Sequence, residues 1–222
     1  DIVMIGWIGF VGYFISIFFQ FTGTKFSNAH MGALITATTP VFVVIFARYI
    51  LKEEITKKKI ISLIMAFGGV AVVVGFDKGA NSSALGDMLL IIAAATWAIL
   101  CVFVKIQSRK NSSLVITTYA MLFALIFTTP FMLFQKESIN VIFQSRLILC
   151  GVIYLGLVGT AGAFLMWNKG IEMVDTGVGS LFLFFQPAAG GILGWLCLGE
   201  KLTASFFVGG ILIVIGILIS NK

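Results

Sequence analysis

Residues 179–220 read GSLFLFFQPAAGGILGWLCLGEKLTASFFVGGILIVIGILIS, and residues 29–56 read AHMGALITATTPVFVVIFARYILKEEIT. Slide the chain along itself until Pro40 meets Pro187, and the register continues on both sides without a gap. Gly9 then meets Gly156, Gly12 meets Gly159, Gly23 meets Gly170 and Gly32 meets Gly179. Glu53 meets Glu200, Thr56 meets Thr203 and Gly69 meets Gly216. The coincidences fall on glycines, prolines and polar residues near the ends of apolar runs, the positions that shape a backbone. A weak repeat of hydrophobic segments marks a membrane protein built from two related halves.

Composition sets the solvent. Hydrophobic residues make up 59% of the chain and charged residues 11%, with a mean hydropathy of +1.10. A soluble domain carries about 25% charged residues, so this chain has too little polar surface to face water. Eight apolar runs reach or approach bilayer length, at 2–21, 31–51, 60–76, 87–106, 114–134, 147–167, 178–198 and 204–220. They are continuous rather than alternating, which predicts helices and excludes a β-barrel. The expected fold is an all-α integral membrane protein.

The net charge of +6 is scattered through short connections, which argues against a nucleic-acid partner. It reads instead as topology. With the 52–59 connection placed in the cytoplasm and the spans alternating, Arg48, Lys52, Lys57, Lys58, Lys59, Lys105, Arg109, Lys110, Lys169 and Lys222 share one side. Lys25, Lys78, Lys136, Arg146 and Lys201 share the other. The positive-inside rule then makes the protein multi-pass in a bacterial cytoplasmic membrane, with a cytoplasmic C-terminus. Cys101, Cys150 and Cys197 lie in apolar runs with no metal-ligand or disulfide spacing, so no metal or cofactor is expected.

The repeat also predicts an organisation. Its two copies run over 1–75 and 148–222, and the runs at 87–106 and 114–134 lie between them. If both halves are built alike, two further helices precede Asp1. The expectation is a ten-helix fold of two five-helix halves, with eight helices in this chain. Residues 1–76 would be the last three helices of the first half and residues 77–222 the whole of the second. An odd helix count inverts the second half across the membrane.

These two quoted segments, together with GDMLLIIAAATWAILCVFVKI at 86–106, resemble the EamA family of the drug/metabolite transporter superfamily, and the resemblance covers essentially the whole chain. It implies ten helices, a central pathway and alternating access for small organic metabolites, amino acids or related compounds foremost, moved by an exporter or a facilitator. Relatives in the superfamily handle drugs, lipophilic cations and nucleotide sugars. The implied partners are the solute and the bilayer, with the protein a monomer or a homodimer.

Candidate residues follow from polarity and placement. Pro40 and Pro187 sit inside spans at matched positions, where each leaves a carbonyl without its helical bond, as in the broken helices of transporters. Beside them Thr39 and Gln186 also match. Gln186 in hydrocarbon needs a partner or a wet cavity; Thr36 and Thr39 line a pathway or bond to their own helix. Trp97 stands in mid-span, away from the interface belt, and Tyr119 is nearer a helix end. Trp167 and Asn168 close the lysine-rich end of their span, as interface anchors or pathway residues, and Gln20, the match of Trp167, stands at the opposite face as a gate. Glu53 and Glu200 lie just past helix ends, where they would cap the next helix with Thr56 and Thr203. His30, the only histidine, begins a helix. Glycines at 156, 159, 162, 190 and 194 are expected to bring helices close.

Other classes fit poorly. An intramembrane serine hydrolase needs a base near its nucleophile, and residues 177–180 read GVGS with no histidine at hand. Asp77, Asp87 and Asp175 are too isolated for a metal–diphosphate enzyme, no filter-like segment suggests a channel, and no enzymatic activity is expected. A non-transporting membrane scaffold is the remaining rival. No carboxylate stands in mid-membrane, which favours facilitated diffusion or exchange over a buried-acid proton relay.

Overall fold

The computed structural model describes residues 1–27, 29–74, 83–133, 145–198 and 204–220. They form eight helical rods: α1 (Ile2–Phe26), α2 (Met31–Leu51), α3 (Lys57–Val74), α4 (Ala84–Gln107), α5 (Ser113–Leu133), α6 (Arg146–Met173), α7 and α8 (Ala204–Ser220). The rod α7 is a chain of three pieces, Thr176–Ser180, a tight 3-10 turn at Leu181–Phe184, and Phe185–Leu198. Five helices, α1, α2, α4, α5 and α6, are long and apolar enough to cross a membrane, and α8 is a shorter apolar helix. The protein is therefore an all-α, multi-pass membrane protein.

Two rods outrun the expected spans for local reasons. In α1 the polar Thr24 continues the helix because its hydroxyl donates to the Gln20 carbonyl at 2.8 Å. In α6 the helix passes 167 and reaches Met173, helped by the Lys169–Glu172 pair at 2.6 Å. Charges at the ends of α4 suit the helix dipole, Asp87 in the first turn and Lys105 in the last.

The helices are irregular at matched places. A π-helical stretch runs from Ile8 to Ile15 in α1, and another from Leu155 to Gly162 in α6. Their ends superpose in the same register that brings Pro40 onto Pro187. The second matched irregularity precedes each proline. α2 breaks at Thr38 and restarts at Thr39, so Pro40 sits in the first turn, where its missing N–H leaves no bond broken. In α7 the 3-10 turn ends at Phe184, just before Pro187.

Two cores hold the rods. One unites α1, α2, α4, α5 and α6 around Ile8, Tyr13, Val43, Leu100, Ile116 and Ile171. The other unites α3, α7 and α8 around Val70, Leu181, Phe184 and Ile213. Lipid is as apolar as these side chains, so close packing rather than water exclusion drives helix pairing. The α3–α8 contact shows how. A methyl group on Gly69 would lie 2.6 Å from the Gly209 carbonyl oxygen, and one on Gly209 would lie 2.5 Å from that of Gly69.

Among the described residues, matched glycines of the two copies differ in what they meet. A Cβ on Gly9 would collide with the Ala120 carbonyl of α5, but one on its match, Gly156, meets no described atom within 4 Å. The same holds for Gly190. Residues 150–160 of α6 are exposed throughout, and none of its glycines packs against another described helix.

Candidate functional site

The buried face of α6 carries a polar group into an aromatic core. Asn168 is fully buried, and its Nδ2 donates to Tyr13 Oη of α1 and Thr117 Oγ1 of α5, each at 2.8 Å. The chemistry fixes the amide's orientation. Thr117 commits its hydroxyl proton to the Ser113 carbonyl at 2.7 Å, so toward Asn168 it can only accept. Both Nδ2 protons are then used, and Asn168 Oδ1 has no partner among the described residues. The Tyr13 hydroxyl, which accepts here, keeps its own proton to donate.

Aromatic rings wall this group. Tyr13 stacks on Phe164 with centroids 4.8 Å apart, and Trp97 meets Phe164 edge-on at 5.4 Å and Tyr13 at 6.4 Å. Trp167 and Trp97 pack on the same core as Cys101. The indole N–H groups of Trp97 and Trp167 are buried with no oxygen or nitrogen partner among the described residues, Trp167 having only the weakly accepting Cys101 sulfur beside it. Each unsatisfied buried polar atom costs about 1–3 kcal/mol, and three in one neighbourhood call for a water or a ligand that bonds them. The centre thus offers spare donors on Tyr13, Trp97 and Trp167 and a spare acceptor on Asn168, walled by aromatic faces.

The sequence-derived candidates are distributed as follows. Trp97, Trp167 and Asn168 come together. Asn168 is buried within α6, which continues past it to Met173, and its amide faces Tyr13. Tyr119 is 46% exposed and turns away from the centre, whereas Thr117, two residues earlier, turns in. Gln20 and Gln186 are exposed. Thr36 and Thr39 donate to Gly32 and Thr36 carbonyls of their own helix at 2.7 and 2.6 Å. Pro40 is buried and Pro187 partly so. Tyr13 and Thr117 join these candidates only in the fold; the one signal for them in the sequence is a tyrosine in the middle of an apolar run.

Glu53 does something other than cap its own helix. Thr56 alone caps α3, accepting from Lys59 N at 3.2 Å. Glu53 instead accepts from the backbone N–H groups of Thr176 and Gly177 at the start of α7, at 3.0 and 3.2 Å. Glu200, Thr203 and the side chain of His30 lie outside the described residues. Beside Glu53, partial burial works to raise the pKa of Asp175. Its contacts with Glu53, the Lys59 ammonium and the Val178 N–H outweigh that and hold it below the ordinary aspartate value. A depressed carboxyl stabilises above its unfolded pKa, about 3.9, and loses that contribution as pH falls through the folded value. Amide exchange at Thr176–Val178 should therefore be corrected to a flat profile between about pH 5 and 8 and loosen only below about pH 4.

Eight helical rods, five of them long and apolar enough to cross a bilayer, define a polytopic helical membrane protein. The model of the EamA-like transporter family matches residues 1–75 and 84–222, and the chain belongs to that family. It is similar to the uncharacterized transporter YetK of Bacillus subtilis, 29% identical over 215 residues, covering 95% of this chain and 65% of YetK. The uncharacterized transporter YyaM of the same organism is 25% identical over 223 residues, covering 99% of this chain and 72% of YyaM. The chain thus spans less than two thirds of YetK's length. A solved crystal structure shares the fold with a TM-score of 0.77 at 19% identity, over 99% of this chain and 75% of that one.

Proposed function

We propose that the protein is a transporter that moves small organic metabolites, amino acids or related compounds, across the cytoplasmic membrane by alternating access, as an exporter or facilitator. The observation that carries this reading is the cluster of unpartnered buried polar atoms on Asn168, Trp97 and Trp167. The donors of Tyr13, Trp97 and Trp167 suit a carboxylate, the Asn168 carbonyl suits an ammonium group, and the rings suit an apolar side chain. Gln186, Thr36, Thr39, Tyr119 and Gln20 belong to the wider pathway in this reading, with Pro40 and Pro187 as its breaks.

The two-half organisation is part of the proposal. Residues 1–76 would contribute three helices of the first half and residues 77–222 the second, inverted half, with the lysine-rich face and C-terminus in the cytoplasm. Matched π-helical stretches and matched irregularities ahead of Pro40 and Pro187 support it.

The test is counterflow into proteoliposomes holding the full-length protein, with a panel of labelled amino acids. Uptake should saturate, and Tyr13→Phe should reduce it about tenfold, the effect of one hydrogen bond. Folded, inserted protein that takes up no amino acid but does take up nucleosides or lipophilic cations would move the substrate class. Protein that takes up nothing would favour a scaffold.

A further inference from the structure

We propose that Glu53, Lys59 and Asp175 form a latch between the two repeat blocks at the lysine-rich membrane face, and that this face opens only when Glu53 leaves the start of α7. Its gating role rests on the transport reading above.

The latch is built from the first block upward. At the end of α2, Lys52 adopts a left-handed backbone with φ of 61°, and the Glu53 N–H returns to the Ala47 carbonyl at 3.2 Å. A non-glycine residue in that region persists only where its surroundings hold it. The turn aims Glu53 across the block boundary, where its two carboxylate oxygens take the N–H groups of Thr176 and Gly177, one each. A carboxylate at a helix N-terminus is favoured by both the free N–H groups and the dipole.

Lys59 completes the arrangement from the first turn of α3. It is 7% exposed, and its ammonium lies 2.8 Å from Asp175 Oδ1, 3.8 Å from Glu53 Oε2 and 2.9 Å from the Glu54 carbonyl. A buried ammonium is tolerable only with such partners, and removing one strands the others. The α7 backbone also packs on first-block side chains, since a Cβ on Gly177 would lie 3.2 Å from Val44 Cγ2 of α2 and 3.6 Å from Lys59 Nζ.

The other side of the same segment is tied within its own block. Lys105 of α4 donates to the carbonyls of Ile171, Glu172 and Val174 at 3.0, 3.0 and 2.6 Å, and Ser113 of α5 bonds to Glu172. Those contacts travel with the second block. The Lys110–Asp1 pair also crosses the boundary, but its side chains are 68% and 52% exposed, so it holds little. Among the described residues, the buried charged contacts that must part for the blocks to separate at this face are those of Glu53 and Lys59.

Two measurements on the full-length protein test the latch. In hydrogen exchange, Glu53→Ala and Lys59→Met should each raise exchange at Thr176 and Gly177 about tenfold, with the α3–α8 helix pair unchanged. No rise in either variant, or a rise throughout the protein, overturns the latch. In the second, Val44→Cys with Gly177→Cys places two sulfurs at bridging distance. Oxidised protein should lose counterflow and regain it with dithiothreitol, while the single variants under the same oxidant keep it. Full counterflow through fully cross-linked protein overturns the gating role. A parent with no counterflow for any solute overturns the transport reading instead, and the exchange experiment then decides the latch alone.

Discussion

Asn168→Leu should abolish counterflow while leaving the protein folded and monodisperse in detergent. Leucine has the same branching and number of side-chain heavy atoms as asparagine, so it replaces the amide with little change of shape against the aromatic walls. It removes two donated hydrogen bonds and the carbonyl that has no partner among the described residues. At about 1–1.5 kcal/mol for each such interaction, the combined loss corresponds to about a hundredfold or more in flux. Asn168→Asp makes the prediction sharper. Thr117 has committed its proton to the Ser113 carbonyl, so toward Thr117 a carboxylate at 168 would face an acceptor with no proton to offer, leaving the Tyr13 hydroxyl to stabilise a charge taken into an aromatic core. The aspartate variant should lose flux as fully as leucine, despite its near-identical shape. Side-by-side initial rates for the parent, Asn168→Leu and Asn168→Asp, each checked by size exclusion, decide the point. Near-parental flux in the leucine variant would reduce the centre to a packing core.

The second large effect is structural. Gly209→Val should prevent α8 from seating on α3. Even its Cβ would stand 2.5 Å from both the Gly69 carbonyl oxygen and Val73 Cγ2, so the two backbones must part. Overpacking of this kind costs about 1–3 kcal/mol, and more where backbone is the obstacle. In a chain of this size that corresponds to a fall of about 6–12 °C in Tm for 3 kcal/mol. The neighbouring Gly210 is the control. A Cβ there meets nothing within 4 Å, and alanine is the better helix former, so Gly210→Ala should hold or raise Tm. Equal losses at both positions would show that the α3–α8 contact is not what sets stability. The ranking of the two variants in a thermal melt in detergent is the measurement.

Much of the fold was legible because the membrane leaves few choices. A segment such as 87–106 must satisfy its own backbone in hydrocarbon, so a long apolar run means a helix. The repeat was legible because Pro40 and Pro187, or Gly69 and Gly216, are backbone-shaping residues whose types survive when apolar neighbours interchange freely. The site was less legible. Trp97, Trp167 and Asn168 stood out as polar or aromatic residues in apolar surroundings, and the fold brings them together. Tyr119 and Thr117 carry equally good credentials in the sequence and differ by two positions on α5. That is about 200° around a helix, enough to send one to the surface and the other to Asn168. Tyr13 was hidden among six other aromatic residues in its own span, 2–21.

The sequence by itself therefore determined the solvent, the helices, the register of the repeat and the family, since each depends on composition and local order along one segment. The tertiary structure alone decided which face of each helix is inside, because a run apolar on all sides carries no amphipathic stripe to orient it in lipid. It also decided the long-range pairings, Asn168 with Tyr13 and Thr117, and Glu53 with the start of α7, because hydrogen bonds between distant segments depend on how the rods cross.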